Sequence, residues 1–253
     1  MKRCALALAM VMGVMAPAMA ATNEIAITWW GCMSVEVNLG DVNLVFDPFV
    51  KPDEPRFHYI LVSHMDTDHS HEPTLRSLIR PGSPFAMLFA SRASFYASRF
   101  EGADLGLDAL PEDLSFVPPG KAIAMYPKYN DTVNPHMEKN PVWDGPVEIV
   151  TGRIRVEAFR SGEFPVLIPY YKDRYVDLKG PFPNLGYVVT DLKSGRTFAQ
   201  TGDIWNAFPE MEKLRGKIDV LFYPLGKLSQ AEKVKMMDYI RPKIRSEEHT
   251  SEL

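Results

Sequence analysis

Short apolar runs separated by turn residues dominate the first third of the chain. Residues 24–49 contain two such runs, interrupted at Gly40-Asp41, a pattern typical of a β-hairpin. The apolar run HYILVS at 58–63 predicts a strand buried on both faces. A helix follows from Pro73, where leucine and isoleucine recur at helical spacing.

The remaining pattern continues the alternation of strands and helices. Residues 124–146 lack periodicity and are rich in Tyr, Pro, Asn and Asp, which indicates a surface loop. Further strands are predicted at 85–90, 146–150, 153–159, 184–190, 197–200 and 218–223, and further helices at 91–100 and 229–240. This order favours one α/β layered domain.

Both ends of the chain differ from this pattern. Residues 1–20 have the organisation of a secretory signal peptide, with Lys2 and Arg3, an apolar run and Ala18-Met19-Ala20 before the expected cleavage point. The apolar run covers only residues 4–15, whereas a bilayer-spanning helix needs roughly 20 residues. We therefore expect cleavage after Ala20, a periplasmic or secreted protein and no integral membrane segment after cleavage.

The last nine residues, RSEEHTSEL at 245–253, have no hydrophobic periodicity and resemble the translation of a sequencing adapter. A charged, frayed tail is the alternative interpretation. We therefore assign 21–244 to a single domain and expect its last strand to be truncated, with Ile244 as its first residue. The natural chain is then expected to continue past Ile244.

The charge balance limits the possible partners. Lys and Arg number 28 and Asp and Glu number 32, which gives a net charge of −4, and no basic cluster interrupts this balance. A phosphate backbone therefore has no evident binding surface. We expect a small-molecule substrate and no nucleic acid; the oligomeric state is not predicted.

Four potential metal ligands follow the strand at 58–63 within six residues: His64, Asp66, Asp68 and His69. A turn at the carboxyl end of a buried strand can direct several side chains into one cavity, and imidazole and carboxylate groups bind divalent metals. Each residue alone is more often an ordinary core or surface residue. Their concentration at one strand end favours a metal site.

The pattern His64-x-Asp66-x-Asp68-His69 resembles the H-x-H-x-D-H signature of the metallo-β-lactamase fold, with Asp66 in place of the second histidine. Other segments follow in family order: 27–31, 43–48, 184–187, 201–203 and 218–226. The resemblance is greatest to the branch that includes L-ascorbate-6-phosphate lactonase and N-acyl-phosphatidylethanolamine phospholipase D. It implies an α/β fold, the metallo-β-lactamase-like αββα sandwich.

The resemblance also implies a ligand set. Glu163 stands where the family has the third histidine of its first metal, although a surface-loop glutamate is the alternative. The last ligand of the second metal, a histidine beyond residues 240–244, has no counterpart here. The other implied assignments are His64 and Asp66 to the first metal, Asp68 and His69 to the second, and Asp203 as a bridge between them.

Carboxylates in place of histidines affect the choice of metal. They add anionic oxygen and shift the preference from zinc toward harder ions. We expect one or two divalent ions, with zinc as the first choice and manganese or iron as alternatives. The H-x-D-x-D-H variant also resembles that of the nuclease-like domain of the competence protein family, so Asp66 is compatible with an active enzyme.

A basic and aromatic segment near Glu163 is a candidate substrate-binding region. Arg160, Tyr171, Lys172 and Arg174 can bind a phosphate or carboxylate group of a substrate. The alternative is a solvated loop whose long side chains cover apolar surface.

Together these features predict an exported metal-dependent hydrolase. In this hypothesis a metal-bound hydroxide attacks an ester, lactone or phosphodiester, and Asp68 acts as the catalytic residue that holds the second metal and orients the nucleophile. Two alternatives stay open: a non-catalytic, metal-poor binding protein of the same fold, and a nuclease-like phosphodiesterase, which the acidic balance disfavours.

Overall fold

The computed structural model describes residues 25–49, 56–64, 66, 68–79, 86–90, 121–125, 128, 146–164, 182–224 and 228–248. The strands in these ranges are β1 Ala26–Gly31, β2 Ser34–Asn38, β3 Asn43–Phe46, β4 Tyr59–Leu61, β5 Met87–Ala90, β6 Ala122–Ala124, β7 Glu148–Val150, β8 Ile154–Phe164, β9 Phe182–Asp191, β10 Thr197–Gln200, β11 Val220–Pro224 and β12 Ile244–Glu248. The helices are α1 Glu72–Leu78, a 3₁₀ helix Pro209–Leu214 and α2 Gln230–Ile240. No helix in this part of the chain has the length and apolar character needed to cross a bilayer.

The strands form two six-stranded mixed sheets. The first has the order β1 to β6, with an antiparallel meander from β1 to β3 and parallel neighbours from β3 to β6. The second has the order β12 to β7, antiparallel from β7 to β10 and parallel from β10 to β12. In both sheets, parallel strands bring carboxyl ends to a common edge.

Three apolar layers hold the sheets and helices together. Between the sheets lie Val35 and Phe46 of the first and Val156, Tyr187 and Phe222 of the second. A second cluster joins the outer face of the first sheet to α1. A third joins the outer face of the second sheet to the 3₁₀ helix and α2. This is the αββα sandwich that the sequence predicts, and the expectation is confirmed.

The strand predicted at 58–63 illustrates why the pattern succeeds. Side chains alternate between the faces of a strand. Tyr59 and Leu61 therefore enter the core between the sheets, while Ile60 packs toward α1. Both faces are buried, which explains the continuous apolar run.

Other elements differ from the prediction. The run expected as one strand folds back at residues 31–33, where Gly31 and Cys32 have φ of 104° and 48°, so the hairpin is a three-stranded meander. β8 extends to Phe164, and the 3₁₀ helix has no counterpart in the prediction. The predicted signal peptide, the helix at 91–100 and most of the loop at 124–146 lie outside the described residues.

The last strand is longer than expected. Only Ile244 was assigned to it, but β12 runs to Glu248 beside β11. Backbone pairing at an edge needs no apolar pattern, and Ile244 is 61% exposed. The strand is fixed at its start because Ile244 N–H donates to the Asp219 carbonyl at 2.8 Å and Lys243 Nζ donates to the Asp219 carboxylate at 2.6 Å.

Gly186 provides a test of the packing between β8 and β9. It pairs with Phe159, and a Cβ at position 186 would overlap the buried Phe159 ring. We expect Gly186→Ala to lower the free energy of unfolding by about 1–3 kcal/mol, because the ring must move in a packed core. Urea denaturation measures this change.

Gly152→Ala is the matched control, since a Cβ there meets nothing within 4 Å. Its effect is expected to stay within about 0.5 kcal/mol. Equal denaturation midpoints for the two variants would show that the Phe159 ring does not restrict position 186.

Candidate metal centre

The candidate ligands meet where strands of the two sheets end. His64 follows β4, and Asp203 follows β10 in the opposite sheet. The ligand atoms of His64, His69 and Asp203 all lie within 4.8 Å of one another. Each of these residues is at most 1% exposed. The three side chains therefore form a compact, buried group between the sheets.

The Asp203 carboxylate faces both imidazoles. Its Oδ2 lies 4.0 Å from His64 Nε2, and its Oδ1 lies 3.5 Å from His69 Nε2. The two rings stand side by side, with centroids 3.9 Å apart. Each oxygen of one carboxylate thus serves a different histidine, an arrangement suited to a bridging ligand.

Asp66 and Asp68 complete the group on its outer side. Asp66 Oδ2 is 3.5 Å from His64 Nε2, and Asp68 Oδ2 is 3.6 Å from His69 Nε2. Their side chains are 21% and 31% exposed, so they face the solvent side of the cluster. Five of the residues singled out in the sequence therefore lie together as two triads that share Asp203. Their role as ligands stays a prediction.

The spacing of these atoms fits a divalent metal ion. Donor atoms about 2.0–2.2 Å from one tetrahedral ion stand about 3.3–3.6 Å apart. The separations here, 3.5 to 4.0 Å, fall near that range and are longer than good N–H···O hydrogen bonds of about 2.7–3.2 Å. The donor set also suits such an ion, because imidazole nitrogen and carboxylate oxygen are its usual ligands.

A buried carboxylate behind the cluster fixes both rings. Asp47, at the end of β3, accepts hydrogen bonds from Ser63 N–H at 2.6 Å, Ser63 Oγ at 2.7 Å and His69 Nδ1 at 2.8 Å. Ser63 Oγ also lies 2.8 Å from His64 Nδ1. Asp47 has φ of 42°, and these three bonds hold it in that uncommon conformation.

The protons of this network can be assigned from its donors and acceptors. An ionised carboxylate only accepts, so His69 Nδ1 must carry a proton. Ser63 gives its single hydroxyl proton to Asp47 and therefore accepts from His64 Nδ1. When a ring is neutral, this arrangement leaves its lone pair on Nε2, the nitrogen that faces Asp203. Asp47 and Ser63 thus orient both histidines for metal binding.

The pKa values reflect the crowding of charges. Burial alone would lower the pKa of His69, but the charges and hydrogen bonds of Asp47 and Asp203 outweigh it and raise this pKa well above its usual value. Burial alone would raise the pKa of Asp66, yet His64 and His69 bring it below the usual value. A proton and a divalent cation therefore compete for His69 Nε2, and metal binding should weaken as the pH falls.

Gly202 allows the close approach of the two sheets at this point. Its φ of 59° lies in the left-handed region, and a Cβ there would stand 2.6 Å from both Ser63 Cβ and Asn184 Oδ1. Only glycine fits this turn without displacing its neighbours. The turn carries Asp203 directly to the histidines.

The other predicted site residues are not part of this cluster as described. The backbone of Glu163 lies on β8 opposite Pro183, and its side chain is outside the described atoms. Arg160 pairs with Glu210 at 3.5 Å and lies 4.7 Å above the Phe208 ring. Tyr171, Lys172 and Arg174 lie outside the described residues.

Sequence reasoning missed Asp47 and Ser63 as site residues. Asp47 lies in one of the segments that resemble the family, and Ser63 directly precedes His64. The positions of both residues in the sequence were therefore noticeable. Hydrogen bonds between neighbouring strands, however, have no characteristic spacing in the sequence, so the role of these residues could not be predicted. The geometry alone shows what these residues contact.

Comparison with known families identifies the class. Residues 26–245 match the family model described as the β-lactamase superfamily domain. This match spans most of the chain, and the protein therefore belongs to that superfamily. No curated protein is significantly similar to the chain.

Solved structures show the same fold at low sequence identity. A metal-dependent hydrolase from Parabacteroides distasonis is 17% identical with a TM-score of 0.57, and the alignment covers 88% of this chain and 81% of that one. Igni18, a metallo hydrolase from Ignicoccus hospitalis, is 13% identical with a TM-score of 0.54 and the same coverage. CmlA, a diiron β-hydroxylase from Streptomyces venezuelae, is 13% identical with a TM-score of 0.56, and the alignment covers 89% of this chain and 45% of that one.

The role assigned to Asp47 can be tested with an isosteric change. Asp47→Asn puts an amide NH₂ where Oδ2 accepts from Ser63 and His69, so His69 Nδ1 must become the acceptor and Nε2 the protonated atom. We expect zinc affinity to fall by about 10–100-fold. Competition with a chelating dye measures this affinity.

Asp191→Asn is the control, since Asp191 is also buried and accepts hydrogen bonds, but it is the last residue of β9 and its donors lie in the following turn. It is expected to lower stability without changing zinc affinity. Equal zinc affinity in Asp47→Asn and the unmodified protein would refute the orienting role.

Proposed function

We propose that this protein is a metal-dependent hydrolase acting on an ester, lactone or phosphodiester bond. The observation that carries the proposal is the pair of triads that share Asp203, one with His64 and Asp66 and the other with His69 and Asp68, with His69 held by Asp47 from behind. Membership of the superfamily and the metallo-hydrolase neighbours support the same reaction class.

The buried and the partly exposed residues of the site have different proposed roles. A divalent ion, when bound, supplies Lewis acidity and lowers the pKa of water from 15.7 toward about 7. His64, His69 and Asp203 form the buried floor that would hold it. In the proposal, Asp68 holds the second metal and orients the attacking water, and its 31% exposure, the highest of the three carboxylates, supports this role. Asp66 lies on the same side, 3.5 Å from His64 Nε2, and is proposed as a ligand of the first metal.

The choice of metal follows from the carboxylates. We propose one or two divalent ions, with Asp66 moving the preference from zinc toward manganese or iron because carboxylate oxygen is a harder ligand than imidazole. A solved structure that shares this fold over 45% of its chain, CmlA, is described as a diiron β-hydroxylase, which is compatible with this preference. Resemblance to the lactonase and phospholipase branch favours a substrate with a phosphate or carboxylate group, which Arg160, Tyr171, Lys172 and Arg174 are proposed to bind.

Export is a further part of the proposal. It rests on the sequence of residues 1–20 alone, which predicts cleavage after Ala20 and a periplasmic or secreted protein.

The function is tested by metal content and hydrolysis together. We expect the purified chain to contain about one or two divalent ions, and to cleave at least one of p-nitrophenyl acetate, a γ-lactone and bis(p-nitrophenyl) phosphate. Asp203→Ala removes the shared ligand and should lower metal content and activity by more than the roughly 10–100-fold typical of supporting residues.

Asp238→Ala, on the exposed side of α2, is the matched control and should retain both properties. A wild-type chain that binds no divalent metal would overturn the proposal in favour of a binding protein. Metal binding with no hydrolysis of all three bond types would overturn the hydrolase assignment alone.

Metal preference is tested by restoring a nitrogen ligand. Asp66→His should raise the ratio of zinc to manganese affinity by about tenfold, equivalent to about 1.4 kcal/mol. Competition titrations with each metal measure this ratio. An unchanged ratio would show that Asp66 does not contact the ion.

A further inference from the structure

Asn184, on β9, has a side chain whose hydrogen bonding is incomplete. The residue is fully buried, and neither its Oδ1 nor its Nδ2 has a hydrogen-bond partner among the residues that the structure describes. Its backbone carbonyl, by contrast, accepts from Ser161 Oγ at 2.9 Å. A buried amide that makes no hydrogen bond destabilises a folded protein, so a group kept in this state calls for an explanation.

The position of this side chain indicates where its partner comes from. A Cβ at Gly202 would stand 2.6 Å from Asn184 Oδ1, and one at Gly162 would stand 3.4 Å from Asn184 Nδ2. Gly202 directly precedes Asp203, and Gly162 directly precedes Glu163. The carboxamide therefore lies against the backbone of two segments that carry candidate ligands.

A third ligand-bearing segment reaches the same place. Ser63, which precedes His64, accepts at its carbonyl from Leu185 N–H at 2.9 Å, the residue after Asn184. The position of a Cβ at Gly162 is also 3.5 Å from the Asp203 carbonyl oxygen. Asn184 therefore lies where the segments of His64, Glu163 and Asp203 converge. Among the described side chains, it is the one whose amide oxygen and amide nitrogen both lack a hydrogen-bond partner.

We propose that the Asn184 carboxamide is a positioning group of the metal centre, whose hydrogen-bond partner is an oxygen that arrives with the cation. In the metal-free chain the amide is a destabilising feature, retained because it acts once the centre is loaded. This inference rests on the proposed metal centre and extends it by a residue outside the H-x-D-x-D-H motif.

Two substitutions of similar shape separate this role from packing. Asn184→Leu removes both polar atoms, so the unfolding midpoint of the metal-free chain should stay equal or rise, while zinc and manganese affinities fall by at least about tenfold. Asn184→Asp adds a buried negative charge, so the metal-free midpoint should fall. Because that charge lies against the segments that carry His64, Glu163 and Asp203, metal affinity should rise and the metal-induced increase in the unfolding midpoint should exceed that of the unmodified chain.

Ser34→Ala is the matched control. Ser34 is also fully buried with an unpartnered Oγ, but it lies at the start of β2, on a segment without a candidate ligand. Its replacement should not change zinc or manganese affinity. All four chains are measured at full length by thermal unfolding with and without metal and by chelator competition.

The outcomes distinguish this inference from the proposed function. If the unmodified chain binds neither zinc nor manganese, the metal centre itself fails. If it binds metal and Asn184→Leu binds equally well, the amide is satisfied independently of the cation and only this inference fails. Equal metal-induced shifts in Asn184→Asp and the unmodified chain would lead to the same rejection.

Discussion

The buried carboxylate of Asp47 is the constraint on which the candidate site depends. It is fully buried and lies between the ends of β3 and β4. A buried charge is tolerated only when it is paired and hydrogen-bonded. Ser63 and His69 satisfy that requirement, and in doing so they fix the direction in which both imidazoles present Nε2. The same bonds thus stabilise the strand ends and prepare the ligand set.

Hydrogen bonds between the sheets bring the second half of the site to the first. Tyr187 Oη donates to the Val62 carbonyl at 2.8 Å, and Gln200 Nε2 donates to the Met33 carbonyl at 2.7 Å. Both contacts lie one to three residues from a candidate ligand or its support. Because the sheets pack through a common apolar core and Asp203 lies only three residues beyond the end of β10, its carboxylate reaches the histidines across a short segment.

The fold alone leaves the chemistry open. At 13–17% identity, the solved neighbours include proteins described as metallo-hydrolases and one described as a diiron β-hydroxylase, so similarity at this level shows the fold and leaves the reaction undetermined. What distinguishes this chain lies in a few side chains around the cluster. Asp66 stands where the resemblance implies a histidine, and Asn184 has an amide without a partner among the described residues that lies against the ligand-bearing segments. In the proposed function, the charge and the hydrogen bonding of these two residues influence which metal the site prefers and how firmly it is held.

The apolar pattern in the sequence was sufficient to predict most strands, and the ligand motif was sufficient to predict four of the five clustered residues. Both predictions succeed because alternation and close spacing are local properties of the chain. The longer β8, the turn at 31–33 and the full length of β12 depended on pairing with neighbouring strands, which an edge or bent strand achieves without an apolar pattern. Asp203 was placed by resemblance, and only the tertiary structure brought it within 3.5 Å of His69. Asp47, Ser63 and Asn184 emerged from the structure alone, because hydrogen bonds and burial between distant segments leave no periodic signal in the chain.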